Sequence, residues 1–98
     1  MSGISTHVLD TSTGRPASGI KVRLFLGDEQ IGSATTDQDG RIRSFDVPVN
    51  RGAYRLLFAV CGDFYPEVSI SFLVSDPAAH YHLPLLISPF GYTTYRGS

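Results

Sequence analysis

The chain has 98 residues, enough for one domain with a single core and little to spare. An apolar share of 42% excludes intrinsic disorder, and a charged share of 17% is too low for a coiled coil. A formal net charge of −1 gives no electrostatic reason to expect nucleic acid or an anionic membrane as partner.

Apolar and polar residues alternate between turn signals, and no segment keeps a helical period for long. Residues 4–10 predict a first strand, closed by a turn cluster at 11–16 that contains Gly14 and Pro16. Residues 21–26 read Lys-Val-Arg-Leu-Phe-Leu, a strand with one wet and one buried face. A turn at 27–29 leads into a strand over 30–36, and Asp37-Gln38-Asp39-Gly40 is a hairpin-type turn in which Gly40 can supply a positive φ. A short, weak strand is expected around 41–45, then a loop at 48–52.

Residues 53–60 and 68–74 are the clearest strands, rich in β-branched and aromatic residues and bounded by Gly62, Pro66 and Asp76-Pro77. Residues 80–87 predict another, with Pro84 marking an edge or a bulge because it lacks an N–H. Residues 92–95 make a last short strand. About eight evenly spaced strands without a strong helix indicate an all-β fold, an antiparallel β-sandwich. With no linker, repeat or low-complexity tract, residues 1–98 form a single domain.

The lone Cys61 has no internal partner, so a reducing compartment is permitted. No hydrophobic stretch approaches the length that spans a bilayer. Neither a basic leader nor an apolar signal core opens the chain, and no peroxisomal address closes it, so a cytoplasmic location is expected.

Chemistry concentrates at the two ends. On a strand His80 and His82 share one face and Tyr81 and Leu83 the other, while Ser5, His7 and Leu9 share a face of the first strand. A fold that joins the two ends would assemble a histidine cluster. Imidazole suits proton transfer near neutral pH. A guanidinium stays cationic and stabilises charge developing on an oxygen, and Arg41 stands directly after a tight turn.

Three readings compete. His7, Arg41 and His82 form a catalytic set; or each is structural; or His-x-His and a remote histidine hold a zinc ion. A serine triad has less support, since no Ser sits in a Gly-x-Ser-x-Gly elbow. Tyr95-Arg96-Gly97-Ser98 carries aromatic, cationic and hydroxyl groups where a domain ordinarily frays into a polar tail.

Thr6-His7-Val8-Leu9-Asp10, Gly14-Arg15-Pro16-Ala17, Asp39-Gly40-Arg41 and the stretch from His80 to Ser98 together resemble the 5-hydroxyisourate hydrolases, the transthyretin-related proteins of purine catabolism. The similarity runs along nearly the whole chain. Its most specific part is the closing Tyr-Arg-Gly-Ser, which transthyretin, a hormone carrier of the same fold, lacks.

The resemblance implies a transthyretin-like sandwich assembled as a homotetramer, with its sites in a central channel between subunits. It implies hydrolysis of the cyclic amide of 5-hydroxyisourate to 2-oxo-4-hydroxy-4-carboxy-5-ureidoimidazoline in urate degradation, with no metal or organic cofactor. By the same resemblance His7, Arg41, His82 and Ser98 are catalytic. Tyr95, Arg96 and Gly97 bind substrate or close the site, and His80 supports it at the channel mouth or through a bond to a neighbour. Which histidine is the general base stays open. The alternative is a non-catalytic, transthyretin-like carrier of a small ligand. One departure stands out: family members usually carry a longer segment with a short helix before the strand at 68–74. Here Cys61-Gly62-Asp63 runs almost directly into Phe64-Tyr65-Pro66-Glu67, so that helix should be short or absent.

Overall fold

The computed structural model describes residues 3–98. Its strands are β1 (Gly3–Asp10), β2 (Arg15–Pro16), β3 (Lys21–Leu26), β4 (Glu29–Thr35), β5 (Arg41–Ile42), β6 (Gly52–Ala59), β7 (Val68–Val74), β8 (His80–Ser88) and β9 (Gly91–Thr94), with no helix among the described residues. They form two sheets. One runs β2-β1-β8-β9, with β5 also paired to β1; the other runs β4-β3-β6-β7.

The alternation seen in sequence decides which side chains lie between the sheets. Ile4, Thr6 and Val8 of β1 and Tyr81, Leu83 and Leu85 of β8 point inward. They meet Val22 and Leu24 of β3, Tyr54, Leu56 and Phe58 of β6, and Val68, Ile70 and Val74 of β7. Phe58, Leu24, Leu56, Leu85 and Val8 are fully buried, and each such side chain contributes about 1.5–3 kcal/mol of transfer free energy. Inward hydroxyls are bonded: Thr6 Oγ1 donates to the Leu83 carbonyl at 2.6 Å.

The sandwich is not wholly antiparallel. β1 and β8 pair in parallel, in unbroken register from Gly3↔His80 to Asp10↔Ile87. Parallel pairing of the first long strand with a late one is invisible to a period-two pattern, which reports faces and not directions. The turn cluster at 11–16 contains the two-residue β2, antiparallel to the end of β1. The strand expected over 41–45 shortens to Arg41–Ile42, because Asp46 takes a positive φ of 55° and its N–H bonds back to Ser44 Oγ at 3.0 Å.

Pro84 marks neither an edge nor a break on the β1 side, where it pairs with His7 within continuous register. The carbonyls of His82 and Pro84 accept from Gly97 N (2.8 Å) and Thr94 Oγ1 (2.7 Å), so this side of β8 faces the β9 segment. The missing N–H of Pro84 therefore falls between the last β9 pair, Leu85↔Thr94, and the isolated bridge His82↔Gly97. No ladder bond is lost there. Between β6 and β7 the chain closes on itself without a helix, through Cys61 N–H to the Pro66 carbonyl (2.9 Å) and Gly62 N–H to the Tyr65 carbonyl (3.2 Å). Cys61 is exposed, with a φ of 58°.

Candidate active site

The outer face of the β1-containing sheet gathers the chemistry. Ser5 and His7 point outward from β1, and the register sets Ser5 beside His82 and His7 beside Pro84. On the other side of β1, His7 is paired directly with Arg41 of β5. Residues opposite one another in a ladder project to the same face. Pairing alone thus brings one imidazole from each end of the chain and the guanidinium after the hairpin onto one surface. The turn that delivers Arg41 is anchored twice. The Asp37 carboxylate accepts the N–H groups of Asp39 and Arg41, both at 2.9 Å, and Gly40 takes a φ of +74° while its carbonyl accepts Val8 N–H at 2.8 Å. These bonds, that from the Arg41 N–H foremost, hold the Asp37 carboxyl below its ordinary range.

Two open cavities meet at this surface. One, of about 460 Å³, is lined by His7, Arg41, His82 and residues 95–98, with Leu9, Pro84 and Leu86 as its apolar floor. The other, of about 220 Å³, is lined by Ser5, His80, Arg43 and again Arg41, His82 and Ser98. Arg41, His82 and Ser98 stand where the two join. His82 is bonded through Nδ1 to Ser5 Oγ at 2.8 Å, and His80 through Nε2 to the same oxygen at 2.7 Å. Burial pushes the His82 pKa below 6.5, and the positive potential of Arg41, His80 and His7 pushes it further, so the ring is neutral near pH 7. With Nδ1 engaged by Ser5, Nε2 is the nitrogen left for a substrate.

The closing tetrapeptide is fastened by backbone. Gly97 bridges His82, its N–H bonding the His82 carbonyl, and it does so at a range no other residue allows. A Cβ at Gly97 would lie 2.6 Å from His82 Cδ2 and 3.0 Å from Pro84 Cγ. Ser98 follows into the junction of the cavities. Tyr95 is 56% exposed along the wall of the larger one. Arg96 lines the same cavity, but its guanidinium carbon sits 4.6 Å from the centre of the Tyr81 ring, in cation–π contact.

The zinc reading finds no geometry: among the described residues no three His, Cys, Asp or Glu side chains are placed to share an ion. A further cavity, of about 500 Å³, lies elsewhere, beside the tight β6–β7 connection and against Phe64, Tyr65, Phe90 and Tyr92. It is lined by no histidine and no arginine; its titratable groups are Asp10, Asp63, Cys61, Tyr65 and Tyr92, so it lacks the imidazole–guanidinium set of the other two cavities. Ser5 is the contributor not singled out from sequence. Alternation already sets it on the face of His7; what it needs is the parallel register that lays it against His82.

A family model described as HIUase/Transthyretin matches residues 4–97. The chain belongs to the HIUase/transthyretin family. Among curated relatives, a 5-hydroxyisourate hydrolase of Caulobacter vibrioides is 42% identical over 118 aligned positions that take in all of both chains. One of Salmonella typhimurium is 39% identical, over 97% of this chain and 80% of its own. The 118 positions span only 98 residues here, so the Caulobacter relative is the longer chain. Among solved structures, 5-hydroxyisourate hydrolase of Klebsiella pneumoniae superposes with a TM-score of 0.91 at 38% identity, covering 99% of this chain and 100% of that one. Sea bream transthyretin in complex with thyroxine gives 0.86 at 27% identity, over 96% and 93%. The sandwich is transthyretin-like, and it lacks a helix between β6 and β7 among the described residues.

Proposed function

We propose that this chain hydrolyses 5-hydroxyisourate, opening its cyclic amide to 2-oxo-4-hydroxy-4-carboxy-5-ureidoimidazoline. The observation that carries the reading is the convergence of His7, Arg41 and His82 on one cavity wall in a member of this family. A cavity of about 460 Å³ suits a compact, planar, polar heterocycle. A small-molecule substrate rather than a polymer follows from the same dimensions.

His82 acts as the general base. Its ring is neutral near pH 7, and its free Nε2 can take a proton from water as the oxygen attacks the ring carbonyl at C6. Arg41 stabilises the tetrahedral oxyanion, an effect commonly worth about 3 kcal/mol per donor. His7, paired beside Arg41, donates a proton to the departing ring nitrogen or holds the substrate. Ser98 orients substrate at the junction of the cavities, with Tyr95 and Gly97 walling it in. Arg96 contributes through the stem that lines the cavity, its charged end being occupied by Tyr81.

The active form is a homotetramer with sites facing a central channel. In support, the outer edges of β7 and β9 are unpaired among the described residues, and Leu73, Phe90 and Tyr95 are 75%, 79% and 56% exposed. Light scattering at micromolar protein measures the assembly. Among the described residues no helix is long and apolar enough to cross a membrane. The activity is tested by following freshly generated 5-hydroxyisourate spectrophotometrically, with spontaneous decay subtracted, for the parent and His82→Ala. Loss of the enzymatic rate in the variant supports the assignment. A parent no faster than the background ends it.

A further inference from the structure

We propose that Ser5 is a proton-relay residue, connecting the buried side of His82 to solvent through His80. The inference rests on His82 being the proton acceptor of the reaction above. Ser5 is only 7% exposed although it lies on the outer face of its sheet, because the two rings cover it. Its Oγ is 2.7 Å from His80 Nε2 and 2.8 Å from His82 Nδ1. A hydroxyl has one proton and two lone pairs, so it donates to one ring and accepts from the other. Next door, the Thr6 hydroxyl is committed to a backbone carbonyl; the Ser5 hydroxyl is committed to the histidines alone.

This arrangement couples the two rings. When Ser5 accepts from His82 Nδ1–H, it donates to His80 Nε2, and the His82 Nε2 is bare and basic. When Ser5 donates to His82 Nδ1, it accepts from His80 Nε2–H, and His82 presents Nε2–H instead. One state accepts the proton of the attacking water and the other can donate. Passage between them balances: Nε2 of His82 gains a proton, its Nδ1 proton moves to Ser5 Oγ, the Ser5 proton moves to His80 Nε2, and His80 Nδ1 releases one to water. No electrons change hands.

The reaction also requires such an outlet, since opening a cyclic amide to a carboxylic acid liberates a proton near neutral pH. His80 is exposed and lines the smaller, open cavity, whereas His7 lines the larger one, so the two imidazoles reach His82 from different cavities. Arg41 from β5, His7 from β1 and His80 depress the His82 pKa beyond the effect of burial, while Arg43 and Arg96 line the same cavities. The positive potential of the first three favours expelling a proton over storing it.

The test is Ser5→Ala, with Ser5→Thr as the hydroxyl-retaining control. Loss of the relay lowers kcat by about 100-fold, the lower end of what positioned proton transfer contributes, with KM little changed. Added imidazole buffer restores part of the rate to Ser5→Ala, and Ser5→Thr retains more activity than Ser5→Ala at low buffer. Independently of turnover, NMR of the His82 ring nitrogens should show a changed balance between Nδ1–H and Nε2–H tautomers in Ser5→Ala, because the hydroxyl that bonds Nδ1 is gone. An unchanged His82 tautomer balance in a folded Ser5→Ala overturns the relay, as does a kcat loss that buffer never restores. A parent that fails to hydrolyse the substrate while Ser5→Ala still alters the His82 ring refutes the reaction and leaves the Ser5 bridge standing.

Discussion

Replacing Gly97 with Ala should disable the site without unfolding the protein. The new Cβ would lie 2.6 Å from His82 Cδ2 and 3.0 Å from Pro84 Cγ, where carbon atoms at rest stand about 3.5–4.0 Å apart. Relief requires a displacement of about 1 Å, and the two neighbours resist it unequally. Pro84 belongs to an interior strand and His82 is held through Nδ1 by Ser5, whereas the 95–98 segment is fixed mainly by the Gly97–His82 bridge. The tail yields, carrying Ser98 away from Arg41 and His82. Misplacement of that size costs about 100-fold in rate when it affects groups that position a substrate. Stability loses about one exposed-margin hydrogen bond, roughly 1 kcal/mol, and for a domain of this size Tm should fall by no more than about 8 °C. Initial rates against fresh 5-hydroxyisourate, paired with a thermal melt, test both halves. A Gly97→Ala protein within about threefold of parental kcat/KM would refute the claim that close backbone approach fixes the tail.

Arg41→Gln should lower kcat by about 10²–10³-fold through loss of the oxyanion partner, with an unchanged far-ultraviolet circular dichroism spectrum. The same variant should raise the His82 titration midpoint, measured by NMR, because the Arg41 charge is the second largest cause of the depression after burial. In the parent, a base with a depressed pKa places the acid limb of the kcat/KM profile below pH 6.5. The sign for stability agrees. As pH falls below 6.5 the unfolded chain protonates this histidine first, so denaturation experiments should show its contribution disappearing on the acid side, with none gained above. Gly40→Ala should destabilise far more than Gly14→Ala in urea melts. Both glycines have positive φ, 74° and 71°, but a Cβ at Gly40 would collide with the Val8 carbonyl oxygen, whereas one at Gly14 meets nothing within 4 Å. The Gly14 cost is then the left-handed backbone alone, about 1–2 kcal/mol.

The faces of the strands were legible in sequence because side-chain alternation is a local property. Residues 68–74 coincide with β7, and the burial pattern of β3 follows its charged–apolar alternation. The co-location of His7 with Arg41 and His82 was also legible, through family resemblance and the demand that the ends meet. What alternation could not report was direction. The parallel β1–β8 ladder depends on long-range packing, and it alone lays Ser5 against His82. Pro84 misled for the same reason. Its lack of an N–H matters only on the side where a partner accepts it, and the partner there is interrupted between Thr94 and Gly97. The Arg96 side chain was beyond reach too, since its resting place over Tyr81 is set by the course of the tail.

Site and core are built from the same strands but opposite faces. On β1, Ile4, Thr6 and Val8 face the sandwich while Ser5 and His7 face the cavities; on β8, Tyr81, Leu83 and Leu85 face in while His80, His82 and Pro84 face out. A strand can therefore carry costly polar chemistry on one side and be stabilised from the other. The apolar run at 83–87 illustrates the division, with Leu83 and Leu85 in the core and Leu86 on the cavity floor. The ladder links the two functions mechanically: any slip of β8 along β1 by one residue would turn His82 into the core and Leu83 into the site. Burial of Leu85 and Val8, both at 0% exposure, opposes that slip, so the same inward side chains that stabilise the fold also fix the placement of His82 relative to His7 and Ser5.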